Sequence, residues 1–559
     1  MRSKGLKKGL FIIGTMGIML LGTAIFAEQI GMDNDSGWGK GRILILMSGI
    51  FLISANILIA VFQVNLLKLT SSLSVLTSHT NQIRIFSFLA TLIVIASYVW
   101  LIAPGFNRDN TNFYSQLAIA FKRNQLYLPE QPSTALLSLS NPYDYTLRKD
   151  SNVEDFPWDV SLYKGKFYIY WGPVPSLILT ALSNERLANT GDQYLVFAFL
   201  CGLFLYSALF SSSFWLRFNY NIPGWTISLA LLAIGISSPT TLMLSHPKIY
   251  EAAIVGCQFF FIGGCYWAYT AISENDSPTI WKLVLAGTHW ALAFGTRITI
   301  LPAIIFTAAA TLIYILRGSK TADPKKILLT LSSMGIPLLI AAVGLSWYNW
   351  ARFGSVFEFG LRFQLANTNY NEFTNLFSTR YIYENFLNYF IRPYQIQAAF
   401  PYIKTVENVA SNDRLAGLLY TSPYFLFILI PIGRFLYSVL APKKFDELDQ
   451  NKNPLEKWLV TVFTGSSLLS LVIILSYYFT AIRFTEDFMP ALLILSTIHF
   501  GQGYKLSSGN KKLSTIYLFF ATLLVVFSVT ASTLIALPGS RVRSILYYTE
   551  QIHELLGVR

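Results

Sequence analysis

The chain has 559 residues, of which 53% are hydrophobic, 15% aromatic and only 13% charged, and its mean hydropathy is +0.48. Soluble domains carry about 25% charged residues, so this composition excludes a soluble enzyme and indicates an all-α, polytopic helical membrane protein. The three cysteines (Cys201, Cys257 and Cys265) lie in apolar runs, which excludes a disulfide framework and a cysteine metal site.

Apolar runs of about 20 residues, long enough to cross a bilayer, recur along almost the whole chain. The first run follows four basic residues and is longer than the apolar part of a signal peptide, and no cleavage motif comes after it. We therefore expect an uncleaved anchor. The runs predict 13 crossings, near residues 8–28, 43–66, 84–104, 191–215, 224–244, 251–273, 280–296, 298–316, 326–348, 416–440, 457–481, 488–503 and 513–537.

The net charge of +13 lies almost entirely in the segments that connect the crossings on one side. If the N-terminus is inside, seven cytoplasmic segments contain 19 Lys and Arg residues against 7 Asp and Glu residues. The segments are 2–8, 67–83, 216–223, 274–282, 317–326, 434–457 and 503–513. The positive-inside rule accounts for this excess, so we expect no nucleic-acid partner, an N-terminus inside and a C-terminus outside.

Two long polar segments interrupt the hydrophobic pattern, and both fall on the predicted outer face. We call residues 105–190 the first loop region and residues 349–415 the second loop region. Both are rich in aromatic residues, which disordered segments lack, so we expect them to be ordered. Within the first loop region, apolar residues at helical spacing over 110–126 predict an amphipathic helix on the membrane surface. Residues 165–184, GKFYIYWGPVPSLILTALSN, predict a juxtamembrane or re-entrant helix that two prolines break.

A later helix ends in Gly-Thr-Arg before a proline, in the segment GTRITILP at 295–302. The chain therefore contains, in order, the amphipathic helix, the segment GPVPSLILTAL and the segment GTRITILP. This arrangement resembles the GT-C superfamily of membrane glycosyltransferases. These depend on polyprenyl phosphate and include protein mannosyltransferases and the lipid A aminoarabinose transferase. The resemblance covers about residues 84–348, and it implies transfer of a sugar from a polyprenyl-phosphate donor to an unidentified acceptor. It places that reaction on the outer face of a bacterial inner membrane and implies no cofactor.

The resemblance also implies a division of the chain. Residues 84–348 would be the catalytic module, which includes the first loop region. The second loop region would follow it, and residues 416–559 would form the C-terminal transmembrane helices. Residues 1–83 would add two N-terminal helices that the family layout does not contain.

Family members commonly begin the first outer loop with Asp-Glu, ahead of a tyrosine and a leucine. Alignment on Tyr114 and Leu117 puts Asn110 and Thr111 at those places, with Asp109 one residue early. Asp109 is the first choice for the general base that takes the acceptor proton, and Asp159 is the second. The alternative roles are a helix cap for Asp109 and a salt bridge with Lys164 or Lys166 for Asp159.

Several further residues are expected to bind the substrate. Glu251 lies at the end of a crossing, where an acid must be paired or functional, and its alternative role is a pair with Lys248. Arg297 suits a phosphate contact, with snorkelling to the interface as the alternative. The other expected substrate-binding residues are Tyr114, Lys166, His246, Arg352 and Arg483, the last beside Glu486 and Asp487. His246 and Glu251 provide too few ligands for a metal site, so we expect none.

Two other classes of protein fit the composition. A lipid or solute transporter usually shows internal repeats and interrupted helices with polar residues near the membrane midplane. Here the ionisable residues collect at the predicted outer helix ends, which favours surface chemistry. A non-enzymatic membrane scaffold or accessory subunit derived from a GT-C enzyme is the third class, because the Asp-Glu pair is missing.

Overall fold

The computed structural model describes most of the chain from residue 78 onward and short pieces before it. The described residues are 14–24, 27, 42, 45, 46, 48, 49, 52, 53, 78–106, 111–218, 222–273, 277–318, 324–373, 375–408, 413–440 and 453–555. They belong to two compact units. The first comprises Met1–Leu89 with Pro223–Thr226, and the second comprises Ala90–Ile222 with Ile227–Arg559.

The first unit contains a close approach between two parts of the chain. Helix Gly14–Ala24 presents Gly17, where an added Cβ would lie 2.6 Å from Cγ1 of Ile53. An added Cβ at Gly49 would lie 2.8 Å from the backbone nitrogen of Leu21. Glycine therefore allows these segments to pack backbone to backbone, as in many membrane helix pairs. The predicted crossing at 43–66 lies mostly outside the described residues.

The chain is mostly helical, as its composition predicts. In the part that the structure describes, seven helices are long and apolar enough to span a membrane, which indicates a membrane protein. From residue 78 onward, the described α-helices outside the two loop regions are His79–Ile102, Asp192–Phe218, Thr226–Gly235, Thr240–Ser245, Ile249–Ser273, Ile280–Thr296, Leu301–Gly318, Pro324–Phe353, Leu418–Thr421, Ile430–Leu440, Pro454–Leu475, Met489–Ser507, Lys511–Ala536 and Gly539–Leu555.

Helix Ile249–Ser273 lies at the centre of the second unit and is buried along most of its length. It packs against helices Asp192–Phe218 and Ile280–Thr296. Two glycines allow these contacts. An added Cβ at Gly256 would lie 2.8 Å from the ring of Phe199, and one at Gly264 would overlap the indole of Trp290.

Some predicted crossings have a different local structure from the one expected. The run at 224–244 forms helices Thr226–Gly235 and Thr240–Ser245 with a break between them. The run at 416–440 begins with helix Leu418–Thr421 and the 3₁₀-helix Pro423–Leu429 before helix Ile430–Leu440. Proline explains both interruptions, because Pro239 and Pro423 lack the N–H that a continuous helix requires. The total of 13 crossings stays a prediction.

The first loop region is ordered where it is described, as its aromatic content predicts. The expected amphipathic helix is Phe113–Lys122, and its buried face contacts the short helices Val174–Leu179 and Asn184–Ala188. The Ser176 hydroxyl donates to the Tyr114 carbonyl over 2.9 Å. The segment expected to be a broken helix begins instead with a strand, Lys166–Tyr168, which pairs antiparallel with Ser161–Tyr163. The remaining helices of this region are Thr134–Ser138 and Tyr145–Asp150.

The second loop region is also ordered in its described part. It contains 3₁₀-helices Leu361–Phe363 and Thr379–Tyr381, helix Ile382–Phe386 and the π-helix Leu387–Ile391. Two short antiparallel strand pairs follow, Gln395–Ile396 with Ile403–Lys404 and Val406–Glu407 with Arg414–Leu415. A β-bridge between Ser161 and Gln364 joins this region to the first loop region.

Candidate functional site

Asp159 lies where the two loop regions meet. Its φ angle is +61°, in the left-handed region that Asp tolerates better than most residues. Its backbone N–H donates to the Leu365 carbonyl over 3.1 Å, and the Leu365 N–H donates to the Val160 carbonyl over 2.8 Å. Backbone hydrogen bonds from the second loop region therefore hold the backbone of Asp159 in place.

Two neutral side chains hold the Asp159 carboxylate. The Tyr250 hydroxyl donates to Oδ2, and the Gln364 amide donates to Oδ1 over 2.8 Å. Burial raises the pKa of Asp159 above its usual value, although both hydrogen bonds act to lower it. Its hydrogen-bond partners are therefore not Lys164 or Lys166, the salt-bridge partners of its alternative role. The Lys166 ammonium lies 3.9 Å from the centre of the Tyr127 ring, and the Lys164 ammonium lies 5.3 Å from that of Tyr163.

Arg483 supplies positive charge beside this carboxylate. Its guanidinium donates to Asp413 over 2.6 Å and lies 4.9 Å from the centre of the Tyr250 ring. Burial alone would lower the pKa of Arg483, but the charges of Asp413 and Glu251 outweigh it and raise the net value. We call Asp159, Tyr250, Gln364, Asp413 and Arg483 the Asp159 cluster.

Aromatic side chains surround the Asp159 cluster. The Trp171 ring lies edge-on to Tyr250 at 5.4 Å between centres, and it contacts Tyr170 at 4.1 Å. Burial raises the pKa of Tyr170 well above its usual value, and the charge of Asp159 adds to the effect. Aromatic rings exclude water on this side, so charges there interact more strongly than in bulk solvent.

The two sequence segments that carry the family resemblance are in contact. The Gly172 N–H in GPVP donates to the Thr296 carbonyl in GTR over 3.1 Å. An added Cβ at Gly172 would overlap the Gly295 carbonyl oxygen, so only glycine fits there. This contact fixes the end of helix Ile280–Thr296, from which Arg297 follows.

Arg297 forms a buried salt bridge. Its Nη1 donates to both carboxylate oxygens of Asp487, with 2.6 Å to Oδ2, and the two side chains are 19% and 6% exposed. The guanidinium carbon lies 5.9 Å from the centre of the Phe484 ring, and that of Arg483 lies 5.3 Å from the same ring. Phe484 therefore has a guanidinium group near its ring from each of the two ion pairs.

The expected cluster of Arg483, Glu486 and Asp487 has three separate sets of partners. Arg483 pairs with Asp413 and Asp487 pairs with Arg297, whereas Glu486 accepts hydrogen bonds from the Thr240 hydroxyl at 3.2 and 3.4 Å. The alternative role of Glu251, a pair with Lys248, takes the form of a backbone contact in the structure. The Lys248 N–H donates to Glu251 over 3.1 Å, half of a capping box.

The other expected substrate-binding residues have structural contacts. The Arg352 guanidinium donates to the Ile169 carbonyl over 2.7 Å and lies 3.8 Å from the centre of the Tyr348 ring. It ties the end of helix Pro324–Phe353 to the first loop region. His246 contacts the Ser245 hydroxyl at 2.8 Å and the Arg414 guanidinium at 3.1 Å. Tyr114 is fully buried.

Of the predicted carboxylate motif, the structure describes Thr111, and this residue caps a helix. Asp109 and Asn110 lie outside the described residues. The Thr111 hydroxyl accepts from the Ile249 N–H over 2.9 Å, so it caps the central helix. Asp192, which the sequence did not single out, accepts from the Tyr114 N–H over 3.3 Å at the start of the amphipathic helix.

Sequence reasoning missed Tyr250, Gln364 and Asp413. Tyr250 directly precedes Glu251, so its place at a helix start next to an acid was the available signal. The other two lie in an aromatic polar loop in which nothing in the local pattern distinguishes them.

In the part of the chain that the structure describes, no group of three or more His, Cys, Asp and Glu side chains could hold a metal ion. Comparison of the chain with protein-family models, with curated proteins and with solved structures finds no significant match.

Proposed function

We propose that this protein is an integral-membrane glycosyltransferase that moves a sugar from a polyprenyl-phosphate donor to an acceptor on the outer face. The observation that carries the proposal is the buried Asp159 carboxylate, which only neutral groups hold directly and whose pKa burial raises. A carboxylate in this state can accept a proton more readily than one in water.

The proposed reaction is a direct transfer. Asp159 removes the proton from an acceptor hydroxyl as that oxygen bonds to the anomeric carbon of the sugar. The bond between that carbon and the phosphate oxygen breaks, and the polyprenyl phosphate leaves with the bonding electrons. Negative charge grows on the leaving phosphate, so cationic donors near it lower the barrier.

Arg297 and Arg483 are the proposed phosphate contacts. A guanidinium carries five N–H donors, and the bond of Arg297 to Asp487 uses Nη1 alone. The remaining N–H groups can donate hydrogen bonds to a phosphate while the salt bridge holds the side chain in place. The resemblance of the GTR and GPVP segments to GT-C enzymes supports this assignment, and their contact through Gly172 connects Arg297 to the first loop region.

The pH dependence of transfer tests the proposed base. Transfer requires ionised Asp159, so we expect the rate to fall as pH decreases through the pKa of this residue. The Tyr250 and Gln364 hydrogen bonds lower that pKa. Tyr250→Phe should therefore move the acid limb of the rate profile to higher pH. Initial rates measured across pH for the wild type and the variant check this, and an unchanged acid limb would contradict the role of Asp159.

The sidedness of the loop regions is a second prediction. Cysteines introduced as Asp150→Cys and Thr405→Cys should react with a membrane-impermeant maleimide added from outside. Ala322→Cys should not, because residues 317–326 carry four basic residues that the positive-inside rule keeps in the cytoplasm. The three native cysteines are replaced first. Labelling of Ala322→Cys from outside would contradict the predicted topology.

A transporter is the second candidate function, and one observation favours it. The helix at Thr226–Ser245 is interrupted, as transporter helices often are near a binding site. Assays of the purified protein reconstituted in liposomes distinguish the two functions. Transfer to an acceptor added outside, with no accumulation of lipid or solute, supports the transferase.

A further inference from the structure

The interrupted helix borders a small cavity in the second unit, and the lining of this cavity is mostly apolar. Helix Thr226–Gly235 ends before Ser237, and Pro239 precedes helix Thr240–Ser245. The cavity lies between this break, helices His79–Ile102 and Asp192–Phe218, and the start of helix Met489–Ser507. Polar groups that line it include Ser207, Ser238, Thr240 and Glu486.

Glu486 is the charged group of this cavity. It is 1% exposed, and its hydrogen bonds come from the neutral Thr240 hydroxyl. Within the described residues no salt bridge to Glu486 occurs, since Arg483 and Arg297 pair with other acids. An ionised carboxylate buried without a cation is strongly unfavourable, so Glu486 must bind a proton or a positive ion.

A second group points to a bound species independently. Ser238 is 1% exposed and lines the cavity, and its Oγ is buried without a hydrogen-bond partner among the described residues. Buried polar atoms are almost always satisfied, and an exception signals a water or an ion. The Ser238 backbone is fully engaged, because its N–H donates to Ser532 over 2.7 Å and its carbonyl accepts from Ser422 over 3.1 Å.

The volume of the cavity and its charged group limit which species it can bind. The cavity has a volume of about 20 Å³, and about 10–15 Å³ is needed for one water. The cavity therefore takes one small species. Its oxygen groups suit a hard cation, its single carboxylate matches one positive charge, and the carboxyl end of helix Thr226–Gly235 adds negative potential.

We propose that this cavity binds one Na⁺ ion between the Glu486 carboxylate and the hydroxyls of Ser238 and Thr240. The ion neutralises Glu486 and links it to the break and to the start of helix Thr240–Ser245. Interrupted helices coordinate monovalent cations in this way in other membrane proteins. The site is separate from the Asp159 cluster and does not rest on the proposed transfer reaction.

Binding of ²²Na⁺ to the purified full chain in detergent tests the proposal, with choline chloride holding the ionic strength constant. At pH 9 we expect saturable binding of one ion per chain, which excess unlabelled Na⁺ displaces better than the larger K⁺. Glu486→Gln should abolish binding, and Ser238→Ala should weaken it about tenfold or more. Ser211→Ala is the matched control, since Ser211 is equally buried but outside the cavity.

Gel filtration and circular dichroism show whether each variant is folded. If Glu486→Gln fails to fold, the comparison of Ser238→Ala with Ser211→Ala still decides the result. No saturable binding by the wild type at pH 9 would mean a water or a proton only and would overturn the proposal. Unchanged binding by folded Glu486→Gln, or equal losses in Ser238→Ala and Ser211→Ala, would also overturn it.

Discussion

Asp159→Asn should leave a folded protein whose sugar transfer is slower by about 10²-fold to 10⁴-fold, the usual contribution of a general base. The amide preserves the size of the side chain and can still contact Tyr250 and Gln364, but it cannot accept the acceptor proton. Initial rates of transfer in membranes, normalised to the amount of protein, measure the loss.

Asp144→Asn is the matched control for this substitution. Asp144 lies in the same loop region, and its carboxylate accepts from the Thr146 and Leu147 N–H groups as a helix cap. Asparagine caps helices about as well as aspartate, so transfer should stay near the wild-type rate. If Asp159→Asn and Asp144→Asn transfer sugar equally fast, the proposed base is wrong.

Arg297→Ala should reduce both stability and transfer. It leaves Asp487, which is 6% exposed, as an unpaired buried charge, and breaking a buried ion pair typically costs about 3–5 kcal/mol. Arg297→Lys keeps the charge but loses the planar fork that suits phosphate. We therefore expect transfer to decrease from wild type to Arg297→Lys and further to Arg297→Ala. Denaturation in detergent and transfer rates measure the two effects separately.

The double variant Arg297→Ala with Asp487→Asn distinguishes a phosphate contact from an anchor. Removing both charges should restore much of the stability, because no unpaired charge stays buried. Transfer should stay low if Arg297 contacts the phosphate. Wild-type transfer by a folded Arg297→Ala protein, alone or in the double variant, would assign Arg297 a purely structural role.

Hydropathy predicted the long helices well because a run of about 20 apolar residues fits a spanning helix and little else. Helices Asp192–Phe218 and Lys511–Ala536 match their predicted crossings closely. The break at Ser237–Pro239 was missed, since a window average counts apolar residues and ignores one proline within them. Pro239 itself was the signal, because proline rarely continues a helix.

The candidate site was predictable only in part. Asp159 and Arg483 could be selected because charged residues are scarce and both lie in polar segments next to crossings. Their partners could not, because Tyr250, Gln364 and Asp413 come from distant parts of the chain. Periodicity describes local structure, whereas these contacts depend on how the loop regions pack against each other.

Several residues expected to bind the substrate also have packing contacts that the sequence does not reveal, for a related reason. Arg352 was selected as a cation at a helix end, where a phosphate contact and a backbone contact look the same in sequence. In the structure it donates to the Ile169 carbonyl and stacks on Tyr348. A buried guanidinium has many donors to satisfy, and nearby carbonyl oxygens satisfy them without a ligand.

We propose above that this chain transfers sugars from a lipid phosphate with Asp159 as the base. The most direct measurement uses purified wild type and Asp159→Asn in liposomes that contain radiolabelled polyprenyl-phosphate sugars, with membrane extract as the source of acceptor. We expect the wild type to move the label from the lipid to the acceptor, and Asp159→Asn to do so at no more than about one hundredth of that rate. No transfer by the wild type from any of the donors, or equal transfer by both proteins, would contradict this mechanism.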